Sequence, residues 1–276
     1  MAVRARWSSP EYVEEMMIGA SLLAGTANVI MQLAHPAVGY GVVESTVESG
    51  QIFRHPIKRT RTTLSYLVVA TLGTDRERQL YRREVNRSHA PVRSGASSPV
   101  SYNAFDHDLQ LWVAACLYKG VEDVHRYFGP SLTDSQATAL YRYGARLGTT
   151  LQMPEELWPA DRAAFDEYWN ESLDRISIDD TVRQYLYDLA VLGFAPRIVR
   201  WTLGPFNRFV TTGFLPPRFR EEMRLPWSDR QQRRFDRLMS VLGAVVRRLP
   251  APLRRFPFNL VWWDVRRRIR TGRPLV

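Results

Sequence analysis

The sequence predicts an all-α protein that folds as a single multi-helix globular domain around a buried central helix. Hydrophobic residues make up 45% and aromatic residues 12% of the 276-residue chain, which is enough apolar surface for a substantial core. Apolar residues recur at helical spacing, whereas strand-like alternation never extends beyond a few residues. Neither a repeat nor a clear linker divides the chain, so we expect one domain over 1–276, with an Arg- and Trp-rich tail at 250–276.

Residues 16–43 form a long stretch without any Asp, Glu, Lys or Arg. The stretch is long enough to span a bilayer, but its polar side chains and its glycines favour tight packing inside a protein. We therefore predict one helix over 11–34 that is buried at the centre of the domain. His35 and Pro36 should end or kink this helix, because the residue before a proline disfavours helical geometry.

The remaining predicted helices are separated by glycine, proline and polar loops. They cover 37–50, 57–72, 75–89, 104–119, 121–128, 133–147, 161–174, 179–192 and 229–248. Proline-rich joints are expected at 154–159, 196–205 and 215–226. Gly50 and Gly73 mark two of the helix ends, in keeping with the preference for glycine after the last helical turn.

The third of these helices has a clear start and an unusual end. Thr74 and Glu77 have the spacing of a capping box. Tyr81, Val85 and His89 then fall at i, i+4 and i+8, which places all three on the apolar side of the helix. The sequence therefore predicts that a histidine turns toward the protein interior where this helix ends.

The chain is strongly basic, with a formal net charge of +10 and a pI near 10.1. Such a charge is typical of nucleic-acid-binding proteins. However, all but two of the 38 Lys and Arg residues are arginines, a bias that coding preference explains as well, and no nucleic-acid-binding motif occurs. We predict no nucleic-acid partner. Residues 230–273 hold thirteen arginines, two acids and two tryptophans, which fits a solvated basic face or a peripheral membrane contact.

Residue counts and spacing exclude several kinds of site. The single Cys116 leaves no internal disulfide, four-cysteine zinc site or iron–sulfur cluster. No dinucleotide fingerprint, phosphate loop, serine elbow or His-Glu-x-x-His motif occurs. A helical di-iron site needs two Glu-x-x-His units, and only the run from Glu122 to His125 supplies one.

Haem is not excluded, because it asks little of a sequence: one imidazole, a flat apolar slot and cations for the propionates. Of the five histidines, His35 and His89 both end helices that have an apolar side. A lone histidine on such a face is more often a satisfied core residue than a ligand. From the residues alone, haem binding is therefore one hypothesis beside a structural role.

Six blocks occur in an order that is more specific than any one of them: "MQLAHPAVGYGVVESTVESG", "HPIKRTRTTLSYLVVATLGTDRERQ", "VNRSHAPVRSG", "YNAFDHDLQLWVAACL", "LWPADRAAFDEYW" and "TTGFLPPRFREEMRLPWS". Their order and spacing resemble the MpaB-type oxygenase family of bacteria and fungi, which includes rubber oxygenases, over roughly residues 10–250. The resemblance implies an all-helical fold with a slot for a non-covalent haem b. It also implies a haem-dependent oxygenase or oxidase that acts on a hydrophobic small molecule with dioxygen.

The resemblance further implies roles for individual residues. His89 would be the axial ligand of the haem iron, with dioxygen bound on the opposite side. Arg59 and Thr63 match a pair on the distal helix beside the haem, where they could contact dioxygen, and Arg59 could instead pair with a propionate. Glu44 stands at about the distance of a carboxylate proposed as catalytic base. Thr62 occupies the position of a lysine that caps the iron in rubber oxygenase, which argues against rubber as the substrate.

Each of these roles has a structural alternative. Arg59 can be an ordinary surface or ion-pair residue, and Thr63 can donate a hydrogen bond back to its own helix. Asp106 is predicted as the N-cap of the helix that begins near His107. The protein can also bind haem without turnover, for instance with His35 as second axial ligand, or be a colourless helical protein at the membrane surface. We expect a cytoplasmic location, with membrane association through the basic tail as an addition to it.

Overall fold

The computed structural model describes residues 17–276, in which fourteen α-helices and four 3₁₀-helices make up the regular structure. The α-helices are α1 Gly25–Leu33, α2 Pro36–Val43, α3 Pro56–Leu72, α4 Asp75–His89, α5 His107–Phe128, α6 Asp134–Gly144, α7 Arg146–Thr149, α8 Arg162–Ser172, α9 Asp180–Ala190, α10 Arg197–Phe214, α11 Pro217–Glu222, α12 Asp229–Arg248, α13 Ala251–Arg254 and α14 Phe258–Thr271. The 3₁₀-helices are Gly19–Ala24, Glu48–Gly50, Glu155–Leu157 and Leu173–Arg175. No strand lies within 17–276, where the only β-bridge pairs Arg93 with Asn103, so the all-α prediction is confirmed.

The centre of the fold is formed by α1 and α5, which pack against each other. α5 also contacts α7, α12 and the first 3₁₀-helix, while α1 contacts α2, α9 and α10. The buried Asn28 donates from Nδ2 to the carbonyl oxygen of Cys116 at 2.6 Å. Gly120 permits this approach, because a Cβ there would lie 2.4 Å from Asn28 Nδ2. The central position predicted for the uncharged segment is therefore confirmed.

The same segment is not one long α-helix, so that part of the prediction is wrong. Residues 11–16 lie outside the described residues, and Gly19–Ala24 forms a 3₁₀-helix before α1 begins. The backbone at Gly19 lies directly against the backbone of Phe256, since an added Cβ would stand 1.8 Å from the Phe256 oxygen. Glycine also has low helix propensity, which helps to explain why regular α-helix starts only at Gly25.

Three further boundaries differ from the prediction because side chains and tertiary packing override local signals. α2 ends at Val43, since Ser45 Oγ accepts from the Val47 amide at 3.3 Å and offers the backbone an alternative to the helix. The helices expected at 104–119 and 121–128 are the single helix α5. The joint expected at 196–205 is the first half of α10.

Proline does not interrupt α10. Pro205 lies inside the helix and removes the hydrogen bond to the carbonyl of Trp201. Both residues are exposed to solvent, so water can satisfy the freed carbonyl. The prediction of a joint is wrong because it took proline as a helix breaker, whereas the sequence alone did not show that this side of the helix faces water.

Capping boxes begin α4 and α12, and the one predicted at Thr74 and Glu77 is confirmed. The Thr74 side chain accepts from the Glu77 amide, and the Glu77 carboxylate accepts from the Thr74 amide at 2.8 Å. Ser228 and Gln231 form the same reciprocal pair at the start of α12. Both α4 and α12 have the bounds that the sequence predicted.

The Arg- and Trp-rich tail is packed on the rest of the chain. α14 lies against α3, and Phe258, Val265 and Leu275 are buried in a second hydrophobic cluster with α3 and α4 side chains. Several tail arginines have acidic partners: Arg267 and Arg268 both pair with Asp264. Within the described range, no helix combines the length and apolarity that crossing a membrane requires.

Candidate active site

A cavity of about 280 Å³ lies between α2, α3, α4, α5 and α7. Its size is near the lower end of the range for ligand pockets, roughly 300–1,000 Å³. Most of the lining is apolar, and examples are Leu33, Val38, Leu67, Leu109 and Val113. Among the described lining residues, one histidine and one arginine occur and no Asp or Glu side chain. A cavity of this kind favours an apolar ligand that carries a few polar or anionic groups.

The histidine in the cavity wall is His89, the last residue of α4. Tyr81 and Val85 precede it on the same stripe and are buried, so the predicted apolar orientation of this stripe is confirmed. The Nδ1 atom of His89 is buried without a hydrogen-bond partner. Burial, and secondly the positive charge of Arg59, lower the pKa of His89 to about 4. At neutral pH the ring is therefore an uncharged imidazole, the form that binds metal ions.

The arginine in the cavity wall is Arg59, in the first turn of α3. Within residues 17–276, no carboxylate lies at ion-pair distance from its guanidinium, and this side chain makes no hydrogen bond. Burial lowers its pKa, against the opposing influence of Tyr185 and Tyr81, but a guanidinium remains protonated in proteins. The cavity thus contains a half-buried cation that has no ion-pair partner among the described residues.

Thr63 lies one turn after Arg59 and lines the same cavity. Its Oγ1 donates to the Arg59 carbonyl at 3.0 Å, so the helical back-bond that sequence reasoning offered as an alternative is present. Thr62 also lines the cavity and donates to the Lys58 carbonyl at 2.9 Å. Both hydroxyl oxygens keep lone pairs that can accept from a ligand, but neither hydroxyl proton is free in this arrangement.

Glu44 lies at the margin of the cavity and not in its wall. It follows α2 directly, is exposed, and accepts a hydrogen bond from Tyr102 Oη at 2.8 Å. Tyr102 itself lines the cavity. Burial, followed by the hydrogen bond and charge of Glu44, raises the pKa of Tyr102 to about 12. The carboxylate is therefore linked to the cavity through one phenol.

Two other residues singled out in the sequence lie elsewhere. His35 does not line the cavity; its ring packs on that of Trp112 with centroids 6.3 Å apart. Burial and the charge of Arg175 lower the pKa of His35. Asp106 caps α5, because its Oδ1 accepts from the Asp108 and Leu109 amides, as predicted.

A chain of buried and half-buried amides near His89 was missed by sequence reasoning. Gln110 lines the cavity, and its Nε2 donates to the Ala104 carbonyl at 3.0 Å and to Gln152 Oε1 at 2.7 Å. Gln152 in turn donates to Asn86, three residues before His89 on α4. The network connects the last turn of α4 to α5 and so helps to fix the histidine. The signal in the sequence was a single glutamine on the otherwise apolar side of α5.

Comparison with known proteins assigns the chain to a family. The sequence profile described as "ER-bound oxygenase mpaB/B'/Rubber oxygenase, catalytic domain" matches residues 15–244. The chain belongs to this family. Members of the mpaB/rubber oxygenase family carry an oxygenase catalytic domain, and the matched range includes every described cavity residue named above. The resemblance inferred from the six sequence blocks is confirmed.

Two relatives match the mpaB/rubber oxygenase domain of this chain closely. Both are uncharacterized mycobacterial proteins, one from Mycobacterium bovis and one from Mycobacterium tuberculosis. Each is 54% identical over 255 residues, which is 92% of this chain and the whole length of the relative. No solved structure matches the chain.

Proposed function

We propose that this protein is a haem b-dependent oxygenase that oxidises a hydrophobic small molecule with dioxygen. One observation carries the proposal: an uncharged, unpartnered imidazole and an unpaired guanidinium line the same apolar cavity. His89 supplies the imidazole and Arg59 the guanidinium. Membership of an oxygenase family supports the reaction class.

The residues present fit a b-type haem. Non-covalent haem needs an axial ligand, apolar walls and a cation for its propionates. His89 fits the first requirement, because its low pKa keeps the ring neutral and its Nδ1 atom has no partner within the protein. Arg59 fits the third, because its charge has no carboxylate partner among the described residues. When bound, the haem supplies the one-electron and dioxygen chemistry that amino-acid side chains lack.

The side chains contribute position, charge and water exclusion. The amide chain through Gln110, Gln152 and Asn86 holds the end of α4 and thus the imidazole plane. Arg59 would bind an anionic group of the cofactor, and Thr63 would accept a hydrogen bond beside it. Apolar walls exclude water and strengthen these electrostatic interactions. Glu44 would accept a proton through Tyr102, which already donates to it at 2.8 Å.

Apolar walls favour a hydrophobic substrate, and the cavity size favours a small one. Thr62 occupies the position where the resemblance expects an iron-capping lysine, and its hydroxyl is bonded to the helix. The cavity has no amine there, which supports a substrate other than rubber. Non-catalytic haem binding through His35 receives no support, because His35 lies outside the described cavity lining.

An absorption spectrum of freshly purified protein tests the proposal. Wild-type protein should show a Soret band and contain stoichiometric iron, and it should consume dioxygen when a reductant and a long-chain alkene are supplied. The substitution His89→Ala should abolish the Soret band or shift it strongly, because the axial ligand is lost. A band that remains unchanged in His89→Ala would contradict the proposal.

Two matched variants act as controls. His35→Ala removes another half-buried histidine that lies outside the cavity, and it should keep the Soret band. Glu44→Gln should keep the band and lower kcat, because the carboxylate would act on protons and not on cofactor binding. Loss of haem in His35→Ala with retention in His89→Ala would reverse the assignment of the axial ligand.

A further inference from the structure

The first half of α10 turns its apolar stripe toward solvent. Five residues at i, i+3, i+4, i+7 and i+8 share one face of the helix and are exposed: Ile198, Trp201, Thr202, Pro205 and Phe206. Ile198 is 73% exposed and Trp201 is 81% exposed. A surface helix normally turns such a stripe toward the core. Clustered apolar residues of this size in contact with solvent mark an interaction surface.

The opposite side of this helix is the one attached to the fold. Gly204 is buried against α9, where an added Cβ would lie 2.7 Å from the Val191 carbonyl oxygen. Asn207 Nδ2 donates to the Ala190 carbonyl at 2.9 Å. The exposure of Ile198 and Trp201 is therefore fixed by contacts on the other side and does not result from a loosely attached helix.

Two arginines flank the apolar face on one edge. Helical geometry places Arg197 and Arg208 next to Trp201, whereas Arg200 lies on the side of the helix that faces α9. Among the described residues, neither Arg197 nor Arg208 has a carboxylate at ion-pair distance, and Arg200 reaches Asp188 only at 3.9 Å. α10 contains no acidic residue at all. The charges of Arg197 and Arg208 are therefore available to an external anion.

We propose that this face of α10 docks on the surface of an anionic lipid bilayer. An amphipathic helix with Trp, Ile and Phe on one side and arginines beside them matches the chemistry of a membrane interface. Trp201 would lie at the level of the headgroups, Ile198 and Phe206 would enter the acyl boundary, and the arginines would bind lipid phosphates. The absence of a membrane-crossing helix in the described range agrees with a peripheral contact.

The basic tail fits this role less well than α10. Arg266 pairs with Glu77 at 3.2 Å, and Arg267 and Arg268 pair with Asp264 at 2.8 and 2.6 Å. These three tail guanidiniums share two carboxylates within the protein, whereas Arg197 and Arg208 on α10 have none among the described residues. We therefore assign the membrane contact that was expected for the tail to α10.

Ring contacts connect the start of α10 to one wall of the cavity. Phe53 packs edge-on against Tyr185 at 5.1 Å and against Phe194 at 6.5 Å between ring centroids. Phe194 lies just before α10, and Gly50, shortly before Phe53, lines the cavity. If the proposed function holds, membrane docking would place the cavity near a reservoir of hydrophobic substrate. Docking itself does not depend on that function.

Vesicle sedimentation with the full-length protein tests the proposal. Wild-type protein should bind vesicles of phosphatidylcholine mixed with phosphatidylglycerol and release as salt rises from about 0.1 to about 1 M, which shortens the screening length from ~10 to ~3 Å. Trp201→Glu should weaken binding about 10- to 100-fold, because the main apolar anchor becomes a charge. Circular dichroism and the absorption spectrum show whether the variant is folded.

Trp263→Glu is the matched control, since Trp263 is a 59% exposed tryptophan on a tail helix. This variant should bind vesicles like the wild type. Three results would overturn the proposal: full binding by Trp201→Glu, equal losses in both variants, or loss only in Trp263→Glu. Light scattering can give a fourth such result. If the wild-type protein is a dimer that does not bind vesicles, and Trp201→Glu is a monomer, a second copy of the chain covers this face.

Discussion

The two ends of the hairpin formed by α3 and α4 hold positive charge in opposite ways. The closed end lies at the turn between the helices, where Arg146 from α7 is buried. Its guanidinium donates to the carbonyls of Ala70 at 2.8 Å and Gly73 at 2.5 Å, and it stacks on Tyr143 at 4.9 Å. The open end is the cavity, where Arg59 has no such partner among the described residues.

This difference separates a structural arginine from a binding one. At the closed end, the fold supplies two carbonyl acceptors to Arg146, and Arg78 adds hydrogen bonds at 2.9 Å to the hydroxyls of Thr149 and Thr150. At the open end, the fold leaves one cation and one imidazole to a ligand. Arg59 is half-buried and unpaired, and partial desolvation of such a charge costs stability, so a ligand that supplies an anion would offset this cost.

The largest effect is expected at the closed end. Arg146→Met should lower the free energy of unfolding by about 3–5 kcal/mol, because two buried carbonyls lose their donors and a buried ion-dipole network is broken. Urea denaturation measures the change. Arg142→Met, at an exposed arginine on α6, should stay within about 0.5 kcal/mol of wild type. Equal effects in the two variants would mean that Arg146 is not held as described.

The second largest effect is the pH dependence of stability that His89 causes at the open end. In the haem-free protein, His89 has a pKa of about 4, below the ordinary value near 6.5 of the unfolded chain. Between these values the unfolded state binds a proton that the folded state does not. The stability that the neutral ring contributes is therefore lost as pH falls through this window and is fully present above it. The loss should be about 2–3 kcal/mol. Unfolding of wild type and His89→Ala at pH values across the window should show a steeper loss for wild type, and parallel curves would contradict the assignment.

Removing the unpaired cation should change the free energy of unfolding less than the change at the closed end does, and in the opposite direction. Arg59→Met should leave the free energy of unfolding of the haem-free protein unchanged or raise it by about 1 kcal/mol, because a partly desolvated charge without partners is replaced by an apolar side chain of similar length. Haem affinity should fall in the same variant, as measured by titration of apoprotein with haemin. Destabilisation as large as in Arg146→Met would show that Arg59 has a structural partner.

The smallest effect is expected at Thr63. Its hydroxyl only bonds back to the Arg59 carbonyl, so Thr63→Val should change the free energy of unfolding by less than about 0.5 kcal/mol. A fall in kcat with haem content unchanged would place the hydroxyl in the reaction. Thr62→Val, whose hydroxyl makes the equivalent back-bond, is the control and should keep kcat. A stability loss above 1 kcal/mol in Thr63→Val would indicate a contact beyond the back-bond.

Local sequence signals determined the starts of α4 and α12 and the orientation of His89. The capping pairs Thr74–Glu77 and Ser228–Gln231 act within four residues, so their geometry follows from the sequence without the rest of the fold. The apolar stripe ending at His89 is also local, because helical periodicity fixes which side chains share a face. The order of the blocks was sufficient to identify the family.

Only the tertiary structure decided which arginine has hydrogen-bond acceptors in the protein and which does not. Arg146 finds its acceptors at Ala70 and Gly73, more than seventy residues earlier in the chain, and no local pattern distinguishes it from Arg59. The same holds for Pro205, which α10 tolerates because the freed carbonyl faces solvent. Hydrogen-bond satisfaction and burial depend on distant segments brought together by packing, whereas caps and stripes depend on neighbours along the chain.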